Sequence, residues 1–278
     1  MTQSFEQNSF VSFDGTSLSY EKIGAGPAVI VVPGALEETE NFRGFAEELS
    51  HLFTVHTLDR RGHGKSDPQG EGYSINKECQ DIRTLQDLTK AKYLFAHSFG
   101  GFAVLETARN NPELMGVAVY EPGISIDGSI NVRWVDRCLT EIAAGKLHDA
   151  FTTFAQGVNP RSALMPRWIF KRVLRLALKP AELAQKYRLL ATAIPEHLEE
   201  ARLNNTYQNY QEINAPVLLM RGTGGVMSKP ALAKLASAIT NVKVTEFKGL
   251  DHFGPEQKPK IVANVVANFF AQAGRKFL

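Results

Sequence analysis

The residues Ala96-His97-Ser98-Phe99-Gly100-Gly101 set a hydroxyl between an apolar run, Tyr93-Leu94-Phe95, and a segment of helical character, Phe102-Ala103-Val104-Leu105-Glu106. A small residue, any residue, Ser, any residue, Gly at a strand-to-helix junction is the form of a nucleophile elbow. Such a turn lifts the seryl oxygen to the edge of a sheet. It also aims the next backbone N–H, that of Phe99, at the point where an oxyanion would form. Ala96 and Gly100 let strand and helix approach closely around a strained Ser98, although the first small position holds Ala where Gly is usual. The chemistry implied is attack by Ser98 on an acyl carbon. The same six residues also fit a plain turn in which Ser98 only caps a helix. The choice rests on whether the chain supplies a base, an orienting acid and a second oxyanion donor.

The elements that would position these groups alternate between strand and helix, the pattern of a parallel sheet covered on both faces. Phe10–Phe13 and Leu18–Ile23 flank the turn dipeptide Asp14-Gly15 and read as a hairpin. Ala28–Val32, Phe53–Leu58, Tyr93–Ala96, Met115–Tyr120, Val217–Arg221 and Val242–Phe247 read as buried strands. Phe42, Phe45, Ala46 and Leu49 mark one helix, and Ile75, Cys79, Ile82, Leu85 and Leu88 mark another. Lys229–Ile239 and Lys260–Gln272 complete the series. Between Pro122 and Asn214 the rhythm stops, and Trp134, Leu139, Ile142, Phe151 and Phe154 fall at helical spacing. This region is expected to be an inserted helical cap, with Trp134, Phe151 or Trp168 facing Ser98. The expected organisation is a core of residues 1–121 and 215–278 with a cap of 122–214.

The chain has 278 residues with a net charge of +2, which gives no basis for a polyanionic partner, so nucleic acid is not expected. Cys79 and Cys138 are its only two cysteines and form no metal-type pair. Their isolation suits a reducing compartment, and Met1–Asn8 is polar without a basic start, so a cytoplasmic protein is expected. Arg167–Arg175 is basic and amphipathic without an acid. It is read as a cap helix with one solvated face and one face on the core, and membrane contact is not expected. No HExxH, phosphate-cradling loop or dinucleotide fingerprint occurs, so neither a metal nor a cofactor is expected.

With the elbow placed, nearly the whole chain resembles the α/β-hydrolase fold superfamily, the cap being its variable part. Asp59-Arg60-Arg61-Gly62-His63-Gly64-Lys65-Ser66, after a strand, is similar to that family's D-x-R-G-x-G-x-S loop. The resemblance implies a mostly parallel sheet with helices on both faces and an inserted helical cap. It gives His63 a structural role and places the base, His252, in the loop after the last strand. Pro33-Gly34-Ala35 stands where the family usually has His-Gly and a third residue, which implies the N–H of Ala35 as second oxyanion donor beside that of Phe99. His97 is expected to be a packed neighbour, since adjacent elbow residues point apart. A Ser nucleophile argues against dehalogenase and epoxide-hydrolase chemistry, which use a carboxylate.

The acid departs from the pattern. The segment Arg221-Gly222-Thr223-Gly224-Gly225-Val226 puts Gly225 where the family usually has Asp, and no carboxylate lies between Ile213 and Glu246. Glu121, at the end of the strand next to the nucleophile strand, is the best substitute. Some members of the superfamily carry their acid there, and the order Ser98, Glu121, His252 keeps the usual one. The rival is a strand-end carboxylate that only binds a loop. Asp251 and Asp127 are weaker choices. If Glu121 serves, Gly225→Asp is expected to restore part of the activity of Glu121→Gln. The resulting expectation is a cofactor-free serine hydrolase of a small carboxylic ester, thioester, lactone or related acyl substrate, with oligomerisation left open. The alternative, motivated by Gly225, is a weak or inactive binding protein of the same fold.

Overall fold

The apolar runs pair into one eight-stranded sheet. The computed structural model describes residues 4–159 and 161–275. Strands β1 (Glu6–Val11), β2 (Ser17–Ile23), β3 (Ala28–Val32), β4 (Thr54–Asp59), β5 (Tyr93–His97), β6 (Gly116–Tyr120), β7 (Val217–Gly222) and β8 (Val242–Phe247) lie in the order 1-2-4-3-5-6-7-8. The Asp14-Gly15 turn joins β1 and β2 as an antiparallel hairpin, and β2 pairs antiparallel to β4. All pairs from β4 to β8 are parallel. The chain steps outward from β3 to β4 and then returns to the other side of β3 with β5. That reversal puts the switch point of the sheet at the carboxyl ends of β3 and β5, the place where open α/β sheets bind ligands.

Alternation along the strands feeds two cores. Ile30 and Val32 pack with Ile82, Leu85 and Phe102 on one face. Val29 and Val31 pack with Phe42, Phe45, Val266 and Phe270 on the other. The helices on these faces are α1 (Arg43–Leu49), α2 (Ile75–Thr89) and α3 (Ser98–Ala108). Leu88 departs from the expected stripe of α2: it is exposed.

Between β6 and β7 the described elements are all helical: α4 (Val135–Ala143), α5 (Leu147–Val158), α6 (Arg167–Ala177), α7 (Pro180–Arg202) and short 3-10 segments. They share a third apolar cluster built on Trp134, Cys138, Phe151, Phe154, Leu190 and Ile194, which reaches the main body through Leu36. Trp134 and Phe151 are buried, whereas Trp168 is 66% exposed and does not face Ser98. The reason is the orientation of α6, which turns Leu174 toward the cluster and leaves Trp168 and Leu176 outside. The chain closes with α8 (Lys229–Ser237), α9 (Gly254–Gln257) and α10 (Pro259–Arg275). No helix among the described residues is long and apolar enough to cross a membrane.

Candidate active site

β5 runs directly into α3, so the chain must reverse at one residue. That residue is Ser98, with φ +51°, a left-handed conformation uncommon outside glycine. The turn is tight because Gly100 packs against backbone: a Cβ there would stand 2.4 Å from the carbonyl oxygens of both Val32 and Pro33. Strain of this kind costs on the order of 1–3 kcal/mol and persists where the surroundings over-determine it. Here it presents the Ser98 hydroxyl above the sheet edge.

Two loops meet that hydroxyl. His252, after β8, puts Nε2 3.1 Å from Ser98 Oγ. Its Nδ1 lies 2.9 Å from Glu121 Oε2. Glu121 follows β6 and is itself left-handed, with φ +44°. Two strand ends side by side therefore hold non-glycine residues in the left-handed conformation. The Glu121 carboxylate also accepts the N–H of Gly222 at 3.1 Å and that of Val226 at 2.8 Å. Burial pushes its pKa up. The hydrogen bond and charge of His252 and the two amides outweigh this, and the carboxyl sits below its ordinary range.

Gly225 is part of the same arrangement. A Cβ at this position would lie 1.5 Å from Glu121 Oε1 and 2.4 Å from Oε2. The missing side chain after β7 is thus the space that the Glu121 carboxylate occupies. Gly225→Asp in a Glu121→Gln background would first have to displace the amide from that space, so the cleaner rescue cuts residue 121 back to Ala. Asp251 turns away and accepts the N–H of Phe253 at 2.8 Å. Asp127 is paired with Lys234 on the surface.

On the opposite side of Ser98, Gly34 lies so close that a Cβ on it would stand 2.9 Å from Ser98 Cβ. Ala35 follows. Among the described residues, neither the N–H of Ala35 nor that of Phe99 donates to a protein acceptor, which leaves both free for a ligand oxygen. The loop is tied from beneath by Arg60. Its Nε donates to the Pro33 carbonyl at 3.0 Å and its Nη2 to that of Gly34 at 2.9 Å. The guanidinium lies 4.7 Å from the centroid of the Phe99 ring. It is fully buried and paired with Glu196 at 2.7 Å and Glu78 at 3.0 Å. His63 is buried beside it, with Nδ1 3.1 Å from the Arg61 carbonyl and Nε2 3.1 Å from Arg60 Nη2. It makes no contact with Ser98, in keeping with a structural role.

Sequence reasoning missed Glu37. Its Oε2 accepts the Gly34 N–H at 2.6 Å and lies 2.9 Å from His97 Nδ1. The only sequence sign was an acid two residues beyond Ala35. Glu37, His97 and Glu256 bring donor atoms within 4.8 Å of one another. Both His97 nitrogens and Glu37 Oε2 are already turned to protein partners, so the group is a hydrogen-bond network and not a cation cage.

The alpha/beta hydrolase family matches residues 29–265, most of the chain. The chain belongs to that family. Over 257 residues the hydrolase is 24% identical to 2-(acetamidomethylene)succinate hydrolase of Mesorhizobium japonicum, covering 91% of each chain. An alpha/beta hydrolase from Sphaerobacter thermophilus superposes with a TM-score of 0.80 at 24% identity, covering 95% of this chain and all of that one. The crystal structure of an E-2-(acetamidomethylene)succinate hydrolase gives 0.65 at 22% identity, with 96% and 100% coverage. These structural likenesses establish the shared fold.

Proposed function

We propose that the chain is a serine hydrolase of a small carboxylic ester, thioester, lactone or related acyl substrate, by a route that requires no cofactor. The observation that carries this reading is the unbroken line Ser98 Oγ–His252–Glu121, with steps of 3.1 and 2.9 Å. Ser98 attacks the acyl carbon as its proton passes to His252 Nε2. The carbonyl electron pair moves onto oxygen, which the N–H groups of Ala35 and Phe99 receive. Collapse expels the leaving group, which takes the proton from His252. Water then repeats the sequence and frees Ser98. Glu121 stays ionised throughout, holds the His252 tautomer and supports the imidazolium. A binding protein that has lost turnover was suggested by Gly225 alone. The carboxylate filling that space removes the motive.

The test is covalent. A fluorophosphonate is expected to add one phosphonyl group to Ser98, read by peptide mass. Ser98→Ala is expected to abolish both labelling and p-nitrophenyl acetate turnover. Unchanged turnover in folded Ser98→Ala protein would reject the reading. The panel should include 2-(acetamidomethylene)succinate, on which the Mesorhizobium relative is named as acting.

A further inference from the structure

His97 is the residue before Ser98, yet its side chain leaves the elbow on the other side of the sheet and is fully buried. Its ring packs against Phe42 and Tyr120, with centroids 5.9 and 6.0 Å away, and against His252 at 4.6 Å. Nδ1 is 2.9 Å from Glu37 Oε2, and Nε2 is 2.8 Å from the backbone carbonyl of His252. A carbonyl oxygen can only accept, so Nε2 must carry a proton. Glu37 Oε2 already accepts the Gly34 N–H at 2.6 Å, and although burial pushes its pKa up, the charge and hydrogen bond of His97 and the charge of Lys186 bring the carboxyl below its ordinary range, so it is ionised and can only accept. Nδ1 must therefore carry a proton as well. A neutral imidazole has only one N–H and would set a lone pair against one of these two oxygens.

From this geometry we propose that His97 is a permanently buried imidazolium that positions the catalytic base. It rests on the reading of Ser98 and His252 given above. Its Nε2–H holds the His252 backbone from below, and its Nδ1–H holds Glu37, which in turn holds Gly34, the neighbour of Ala35. One chain of three hydrogen bonds thus fixes the base loop and the oxyanion loop to each other. His97 hydrogen-bonds the His252 backbone and Glu37 and neither the Ser98 hydroxyl nor the His252 ring nitrogens, so its role is positioning.

The groups that face this ring agree. Glu37 from the loop after β3, Glu256 from α9 and the ring of His252 from the loop after β8 face it, while Lys186 of α7 acts on Glu37 and Glu256. Burial by itself lowers the pKa of His97. The charge and hydrogen bond of Glu37 reverse this, and the pKa ends above its ordinary value. Burial and the Glu37 charge push the Glu256 carboxyl up to about 8, which keeps it neutral at pH 7. The Lys186 ammonium donates to the Leu36 carbonyl at 2.8 Å and so faces the same loop. His97 is the group in hydrogen-bond contact with Glu37, and the Lys186 charge acts on the same carboxylate.

The decisive measurement is nitrogen-15 NMR of the imidazole rings in the intact wild-type protein, with His97 assigned by its loss in a His97→Gln variant. Two protonated ring nitrogens between pH 6 and 8 are expected, and a single one overturns the proposal. Kinetics give a second arm. His97→Leu is expected to lower kcat about 10- to 100-fold while KM stays within about threefold, since a misplaced base slows chemistry more than binding. His97→Gln can still donate to the His252 carbonyl and is expected to recover at least about tenfold of that loss. Equal kcat in wild type, His97→Leu and His97→Gln would also overturn it. Fluorophosphonate labelling of wild type separates the two readings: absence of Ser98 labelling refutes the serine mechanism, while the ring-proton count still decides the state of His97.

Discussion

The acid site is one volume reached from two strand ends, and this makes a sharp prediction. A Cβ on residue 225 would stand 1.5 Å from Glu121 Oε1, a covalent distance, so Gly225→Ala must expel the Glu121 carboxylate. Expulsion leaves His252 Nδ1 and the N–H groups of Gly222 and Val226 without their acceptor. The lost amide bonds should cost about 1–3 kcal/mol of stability. Loss of support for the imidazolium should lower turnover by about two to four orders of magnitude, or about 3–5 kcal/mol in the barrier. Glu121→Ala should lose a similar amount. In the double variant Glu121→Ala/Gly225→Asp the space is vacant, and the new carboxyl carbon lies one bond from a Cβ that is 2.3 Å from the present Glu121 Cδ. The moved acid should regain at least about tenfold over Glu121→Ala, because orientation and charge are both restored. The assay is kcat for p-nitrophenyl acetate, with melting curves to show that each variant is folded. Full turnover in Gly225→Ala, or a double variant no faster than Glu121→Ala, would refute the shared-volume argument.

Further perturbations test the supporting shell. Arg60→Ala strands Glu78 and Glu196 and frees the carbonyls of Pro33 and Gly34, so a loss of about 3–5 kcal/mol is expected in urea unfolding; a loss under about 1 kcal/mol would contradict a buried-charge role. Glu196 and Glu256 have pKa values raised by burial from 4.5 to about 7 and about 8. The folded chain thus holds protons that the unfolded chain releases above pH 4.5. Their contribution to stability is complete below that pH and falls as pH rises through 7–8, by up to about 1.4 kcal/mol per pH unit for each group. Glu256→Gln should flatten the decline of melting temperature between pH 5 and 8, and an unchanged slope would contradict the assignment. Trp168→Ala, at an exposed position, should leave stability within about 0.5 kcal/mol by the same unfolding assay. Phe45→Ala removes a ring stacked 4.1 Å from Phe95 in the core and should cost about 3–5 kcal/mol; a loss below about 1 kcal/mol would show that this stack is not formed.

Much of the architecture was legible in the order of residues, because strand and helix have different periods and the chain marks its turns. The apolar runs at Ala28–Val32 and Tyr93–Ala96, the dipeptide Asp14-Gly15 and the small residues around Ser98 are local facts, and each predicts a local conformation. The break in alternation after Tyr120 announced helices in the same way. What failed was finer. Leu88 and Trp168 sit at apolar positions by type but outside the packed faces, since which side of a helix is covered depends on neighbours far away in the chain.

The chemistry divides along the same line. Sequence alone determined that a serine stands at a tight strand-to-helix turn, that a histidine follows the last strand, and that no acid stands where one was sought near Gly225. It left Glu121 as one carboxylate among several, because nothing in its neighbours says which way a strand-end side chain turns. Only the tertiary structure decided that Gly225 and Glu121 share one space, and that His97 and Glu37 join the two loops around Ser98. These contacts connect residues 60 to 155 positions apart in the chain, such as His97 with Glu37 and with His252. Hydrogen bonds act over about 3 Å, so such pairings exist only once the sheet order has brought the ends of β3, β5, β6 and β8 to one edge.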